Sequence, residues 1–448
     1  MRDSRPVKAS ARSFRVPALD GIRAYAIAAV VVVHLLGASG VLARADGTGL
    51  AVWIWGFLGS TIDIFFIISA FVLFLPAARR EGALGSAGWF WIGRAARLLP
   101  AFLLTVGLTL VLVAVIPPSS GYVYPSLREI FSHLTLMQMA APLFDGGIRI
   151  GFGINGPLWL ISIVVTFYAV LPLIARPFFR HPLAGLAIAA AVTVAWKELV
   201  ARAPDAIAGV AGGSEEFVRT AGADQFPGWA FSFALGMFGA WAYVRLRADH
   251  EPERLARTAV LALPAVVLVY AISSYVRGRH ALEIPGNVAQ FARGESIPSL
   301  LDTAARGALI GAVVIGPAWL SRPFVSRTTA RLAELSYGVY LIHYVVIIYA
   351  VRLIAPPSEG TFADFAVWTA VVVPPSLLFA WLSRRFIELP VLAWVRSRQP
   401  RLMVGARRAE ERADEPSAPQ VPNADRHIVD GGGRRGAPVR HGAGERGG

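Results

Sequence analysis

Ten stretches of this chain stay largely apolar for the length a membrane-crossing helix needs, about 20 residues, and no other feature limits its fold as strongly. They lie near 17–37, 53–77, 98–116, 154–175, 183–202, 227–247, 258–275, 300–320, 332–353 and 365–386. Inside a bilayer every backbone N–H and C=O must be satisfied within the protein, so runs of this length become helices. Composition agrees: of 448 residues, 55% are hydrophobic and only 16% charged, with a mean hydropathy of +0.55. A soluble domain carries about a quarter charged residues. A soluble enzyme, a nucleic-acid-binding domain and a disordered scaffold are thereby excluded. The expected fold is all-α, a polytopic transmembrane helical bundle of about ten spans. The 122–143 segment, with Phe131, Leu134, Leu136, Met137 and Met139, is expected as a shorter interfacial or buried helix.

The net charge of +14 does not point to nucleic acid, because the basic residues cluster at the ends of the apolar stretches, as in cytoplasmic membrane loops. With the N-terminal Arg2, Arg5, Lys8, Arg12 and Arg15 inside, the inner loops hold Arg79, Arg80 and Arg94, then Arg176 and Arg180, then Arg245, Arg247, Arg254 and Arg257, then Arg322, Arg327 and Arg331. Outer loops are richer in acids such as Asp205, Glu215, Glu216 and Asp224. One loop breaks the pattern, the one holding Arg277, Arg279, Arg293 and Arg306. An even number of spans with both termini cytoplasmic follows, in the cell's inner (plasma) membrane. Only Lys8 and Lys197 are lysines among the 43 basic residues, a bias that suggests a GC-rich bacterial source. Residues 1–15 read as a basic cytoplasmic N-terminus, 16–395 as the transmembrane domain and 396–448 as a disordered cytoplasmic tail, too poor in apolar residues to offset its ordering entropy. The first apolar stretch carries Arg23 and His34, which a cleaved apolar leader would not, so it reads as a retained anchor.

With no cysteine in the chain, disulfides, thiolate nucleophiles, iron–sulfur clusters and Cys-ligated zinc are excluded. No metal site is suggested. The informative residues are the ionisable ones inside apolar spans, each of which costs a few kcal/mol or more at the bilayer centre. Eleven residues separate Arg23 from His34, a rotation of about 1100°, so both share one helix face with His34 about 16 Å deeper. His343 lies twelve residues beyond Arg331, about 18 Å along its own span. The two histidines thus reach similar depth, and a buried imidazole suits proton transfer near neutral pH; each is also compatible with a hydrogen-bonded packing role. Asp63 and Ser69 share the second span, where Asp63 needs either a positive partner from another span or a catalytic reason. Arg94 and Arg97 are one turn apart before the third span, suited either to phosphate oxygens or to anchoring topology. Gly151-Phe-Gly153-Ile-Asn-Gly156 fits G-x-G-x-x-G but follows no strand, so it reads as a flexible turn rather than a dinucleotide site. No Walker A sequence is present.

Several segments together resemble the membrane acyltransferase-3 family. Leu19-Asp20-Gly21-Ile22-Arg23 running on to His34 is similar to its opening motif. Thr61-Ile62-Asp63-Ile64-Phe65-Phe66-Ile67-Ile68-Ser69-Ala70-Phe71 is similar to its second-span motif, with Ala70 where Gly is usual. Trp91-Ile92-Gly93-Arg94-Ala95-Ala96-Arg97-Leu98-Leu99-Pro100 resembles its R-x-x-R segment. Leu335-Ser336-Tyr337-Gly338-Val339-Tyr340-Leu341-Ile342-His343 resembles its late-span signature, and Arg385-Phe386-Ile387-Glu388-Leu389-Pro390 its closing segment. The resemblance covers about residues 14–395 in the right order.

It implies an integral membrane O-acyltransferase, with acetyl-CoA or another acyl-CoA as donor, no permanently bound cofactor, and a hydroxyl-bearing glycan or macrolide-like acceptor. On that analogy His34 is the general base. Asp63 and His343 complete the catalytic set, Arg23, Arg94 and Arg97 hold the donor, and Ser69, Ser162, Tyr168 and Tyr340 line the cavity. One departure stands out: where the family's fourth span has Glu, this chain has Val164, and restoring Glu there is expected to raise activity. The alternatives are a non-catalytic relative that binds or moves a glycan or lipid intermediate, or an unrelated secondary transporter, which would show repeated halves that the sequence lacks.

Overall fold

The computed structural model describes residues 16–45, 49–58, 61–283 and 296–398. Every regular element among them is helical. The long helices are α1 (Pro17–Ala38), α2 (Ile62–Ala78), α3 (Ala87–Val115), α4 (Trp159–Arg180), α5 (Pro182–Arg202), α6 (Ala230–Asp249), α7 (Pro252–Glu283), α8 (Ser296–Ile315), α9 (Arg327–Leu353) and α10 (Phe362–Ser383). A short helix, Gly49–Phe57, precedes α2, and Leu389–Ser397 continues α10 through one π-turn at Arg384–Glu388. Nine helices among the described residues are long and apolar enough to cross a membrane. The tenth expected stretch, 227–247, is the helix α6 but is not one of the nine; Gly, Ser, Trp, Tyr and the paired Arg245 and Arg247 dilute its apolar run. The basic N-terminus expected over 1–15 lies outside the described residues, as does the tail expected over 396–448 apart from 396–398, where the helix Leu389–Ser397 ends.

Helices in lipid gain little from apolar burial against one another, so close backbone approach at small residues does the joining. Gly236 of α6 meets α2 so tightly that a Cβ there would lie 2.2 Å from the Ile67 carbonyl oxygen. Gly338 of α9 is pressed on α10, where a Cβ would sit 2.7 Å from the Ala380 Cα. α1 packs along α9 and α2, α7 pairs with α8 and with Gly49–Phe57, and α5 lies beside α6. The main apolar core joins Phe66, Phe74, Phe102, Phe152, Phe167 and Phe233 from five segments.

The 122–143 segment folds as the helix Leu127–Leu134, started by a Ser126–Glu129 capping box, followed by turns. The Gly151–Gly156 turn is pinned rather than flexible. Gly151 and Phe152 both take left-handed conformations (φ 56° and 60°), costly for Phe. His133 holds them: its Nε2 accepts from the Gly151 N–H at 2.9 Å, its Nδ1 donates to the Glu129 carbonyl at 2.7 Å, and its ring stacks on Phe152. The Tyr122 hydroxyl adds a bond to the Phe152 carbonyl at 2.8 Å.

Candidate active site

α1 and α9 lie side by side, and their histidines meet. His34 Nδ1 is 3.0 Å from His343 Nε2, and the rings are roughly stacked with centroids 5.1 Å apart. His343 is fully buried, whereas His34 is half-buried. The backbone decides which nitrogens carry protons. His343 Nδ1 faces two carbonyl oxygens of its own helix, Tyr340 at 2.7 Å and Val339 at 3.1 Å, so it is the donor. In the neutral ring Nε2 is then the acceptor, which makes His34 Nδ1 a donor in turn. The lone pair of His34 is left on Nε2, the nitrogen facing away from the pair. An imidazole so arranged is a ready general base.

A second cluster forms nearer the N-terminal ends of α1, α3 and α9. Arg23 is paired with Asp20 at 3.1 Å. The guanidinium charges of Arg94, Arg97 and Arg23 all bear on the Tyr168 hydroxyl of α4. Arg94 Nε is buried with no hydrogen-bond partner among the described residues. The indole N–H of Trp91 donates to the Tyr168 carbonyl at 3.0 Å, and the Tyr337 hydroxyl to the Leu98 carbonyl at 2.8 Å. Glu388, in the π-turn after α10, feels the charge of Arg97. Arg94 and Arg97, one helical turn apart on α3, together have the chemistry that suits phosphate oxygens.

The other expected site residues stand elsewhere. Asp63 belongs to a buried ionic knot across four helices. Its Oδ1 accepts from Ser232 of α6 at 2.7 Å, and its Oδ2 lies 3.5 Å from Arg277 of α7 and 3.4 Å from Arg306 of α8. Asp302 shares both arginines at 2.9 and 2.8 Å and accepts from Ser273 and Ser274. Arg277 and Arg306, which break the loop-charge pattern in the sequence, are thus helix residues neutralised by Asp63 and Asp302. Among the described residues no hydrogen bond joins Asp63 to either histidine. Ser162 is buried, its Oγ accepting the Met139 N–H at 3.3 Å, and the Tyr340 hydroxyl is bonded to the Pro157 carbonyl. Both tie the 135–158 loop to the bundle. Ser69 is half-buried on α2. Val164, at the usual Glu position, is 2% exposed within the main apolar core.

Residue-by-residue reading missed Trp91, Tyr337, Glu388 and Asp302. The first three lie inside motifs already quoted, yet nothing in the linear spacing separates them from ordinary packing residues. Asp302, in an apolar span, carries the same signal as Asp63, an ionisable group in an expensive place.

An acyltransferase family model, described as an acyltransferase domain, matches residues 16–385. The chain is 25% identical over 399 residues to "Peptidoglycan O-acetyltransferase OatA" of Listeria monocytogenes, covering 84% of this chain and 56% of that protein. It is 27% identical to "Putative peptidoglycan O-acetyltransferase YrhL" of Bacillus subtilis, over 84% of this chain and 55% of the relative. "Acyltransferase MdmB" of Streptomyces mycarofaciens is 25% identical, over 93% of this chain and 99% of its own length. The chain therefore spans about half the length of the first two relatives. No solved structure matches it significantly. A family match over residues 16–385, most of its length, places this helical bundle in the acyltransferase-3 family.

Proposed function

We propose that the protein transfers an acyl group, acetyl in the simplest case, from a CoA thioester to a hydroxyl of a cell-envelope glycan or a natural product. The observation that carries this reading is the His34–His343 pair, set eleven residues along α1 from the arginine cluster. Arg23, Arg94 and Arg97 hold the donor's phosphates, entering from the cytoplasmic side if the N-terminus lies inside. The thioester then reaches toward His34 along the shared face of α1.

His34 Nε2 takes the acceptor's hydroxyl proton as that oxygen bonds to the thioester carbonyl carbon. Collapse of the tetrahedral intermediate breaks the C–S bond, and the departing thiolate takes the proton back from His34. No net proton is consumed. His343 is a positioning residue: it holds His34 in the productive tautomer and stabilises the transient imidazolium through its Nε2 lone pair. The names of the relatives support peptidoglycan-like and macrolide-like acceptors as the classes to try.

The test is acyl-CoA turnover by the purified protein in lipid vesicles, native against His34→Ala, with a panel of glycan and macrolide acceptors. Thioester cleavage that needs both an acceptor and His34 is expected. Equal turnover by both proteins would remove His34 from the mechanism. CoA binding with no turnover across the panel would favour the non-catalytic reading, for which Val164 is the specific observation.

A further inference from the structure

Trp91 is out of place for a residue on its helix face. Leu98 and Thr105 lie seven and fourteen residues further along α3, within about 40° of the same direction. Both are more covered than Trp91: Leu98 is half-buried and Thr105 fully buried. Trp91 nevertheless remains 48% exposed. The indole therefore keeps about half of its surface uncovered at this level. The ring does not swing freely there, because its N–H is held by the Tyr168 carbonyl of α4. Beside it on the same helix is Arg94, whose buried Nε lacks a partner, and the charges of Arg94, Arg97 and Arg23 converge on Tyr168.

A held, half-exposed aromatic ring one and two turns from Arg94 and Arg97 on the same helix has the chemistry of a nucleotide site. Cations meet phosphates, and a flat π-surface meets a base, which stacks on aromatic rings whatever its hydrogen-bonding edge. We propose that Trp91 is the platform on which the purine ring of the donor nucleotide stacks, with Arg94 and Arg97 on its phosphates. This rests on the acyl-CoA reading above and gives it a specificity element: the protein selects a thioester carried on an adenine nucleotide rather than any thioester.

The test measures binding, so it requires no acceptor. CoA, 3′,5′-ADP and the fluorescent 1,N6-etheno-CoA are titrated into native protein, Trp91→Ala and Trp91→Phe in lipid nanodiscs, each first checked for an unchanged thermal midpoint. Trp91→Ala is expected to weaken CoA and 3′,5′-ADP about tenfold, the scale of one lost base–aromatic stack. Trp91→Phe keeps a flat ring and most of the affinity. Etheno-CoA emission should change on binding native protein and lose that change in Trp91→Ala. Undiminished CoA affinity in Trp91→Ala overturns the proposal, as does an equal loss in the Ala and Phe variants, which would mark Trp91 as packing only. Native protein that binds no CoA species overturns the acyl-CoA reading itself, and that failure is visible before any substitution is made.

Discussion

His34 Nδ1 and His343 Nε2 stand 3.0 Å apart across 309 residues of chain, and the second ring is itself fixed by the carbonyls of Tyr340 and Val339. Proton positions thus run in one direction, from the backbone of α9 through His343 to His34. The free lone pair ends on the nitrogen of the more open ring.

His34→Ala should lower turnover by about 10²–10⁴-fold, the usual contribution of a general base. His343→Ala should cost about 10–100-fold in kcat with little change in KM, as when an imidazole loses the group that fixes its tautomer. His343→Gln, which keeps an acceptor oxygen, should recover part of that loss. Steady-state kinetics in vesicles checks all three, and a His343→Ala defect confined to KM would contradict the orienting role.

Arg97→Ala should raise the donor Kd by about 10–100-fold, the worth of one charge-assisted hydrogen bond to phosphate. Acceptor KM should stay unchanged. Donor affinity equal to native would reduce Arg94 and Arg97 to topology anchors.

Asp63→Asn takes one carboxylate charge away from Arg277 and Arg306, and breaking a buried pair costs about 3–5 kcal/mol. The thermal midpoint should drop clearly. Replacing both sides, as in Asp63→Leu with Arg306→Met, should recover most of the loss, since well-packed apolar groups can substitute for a buried ion pair. A double variant that is stable but inactive would return Asp63 to the catalytic set.

Val164→Glu would place a carboxylate among Phe167, Phe233 and their neighbours in the main core. Burial of an uncompensated charge costs several kcal/mol. The structure thus turns the expected gain in activity into an expected loss of stability, to be read as a lower thermal midpoint. A variant as stable as native and faster would show that a polar cavity reaches this position.

His133 gives the 122–158 segment an acid-sensitive lock. Burial lowers its pKa from 6.5 to about 4, against the Glu129 carbonyl and carboxylate, which pull it up. A histidine held below its unfolded value contributes stability that is complete above pH 6.5 and is lost as pH falls toward 4. The loss approaches about 3 kcal/mol once both states are protonated. Asp224 works the opposite way over part of this range, because burial raises its carboxyl to about 6, while Lys197 and Arg277 oppose the rise. The comparison must therefore be native against His133→Gln, which can keep both hydrogen bonds without titrating. Thermal midpoints of the two should diverge between pH 6.5 and 4, with native falling faster. Parallel curves would show that His133 does not carry the acid sensitivity.

The helical, membrane-spanning character of this protein was legible in the chain alone, as was the placing of ionisable residues inside its apolar spans. Apolar runs of span length have one solution in lipid, and an ionisable side chain within such a run is too costly to be idle. The equal depth of His34 and His343 followed from residue counts, because helical rise is nearly constant. What the chain alone left open is pairing. Arg277 and Arg306 read as stray outer-loop charges although Asp302 lies only four residues from Arg306; what the chain could not show is that Asp63, 214 and 243 residues away, joins them. The choice for Asp63 between an ion pair and a catalytic role was open for the same reason. Nor could spacing show that Ser162 and Tyr340 spend their hydroxyls on the 135–158 loop, that Val164 is sealed in the core, or that Trp91 stays half exposed while its N–H is held by Tyr168. Each of these depends on which helix faces which, and that is set by close approach at residues such as Gly236 and Gly338 and by the buried knot of charges. Side-chain periodicity names the face a residue occupies, but only packing between distant segments decides what that face meets.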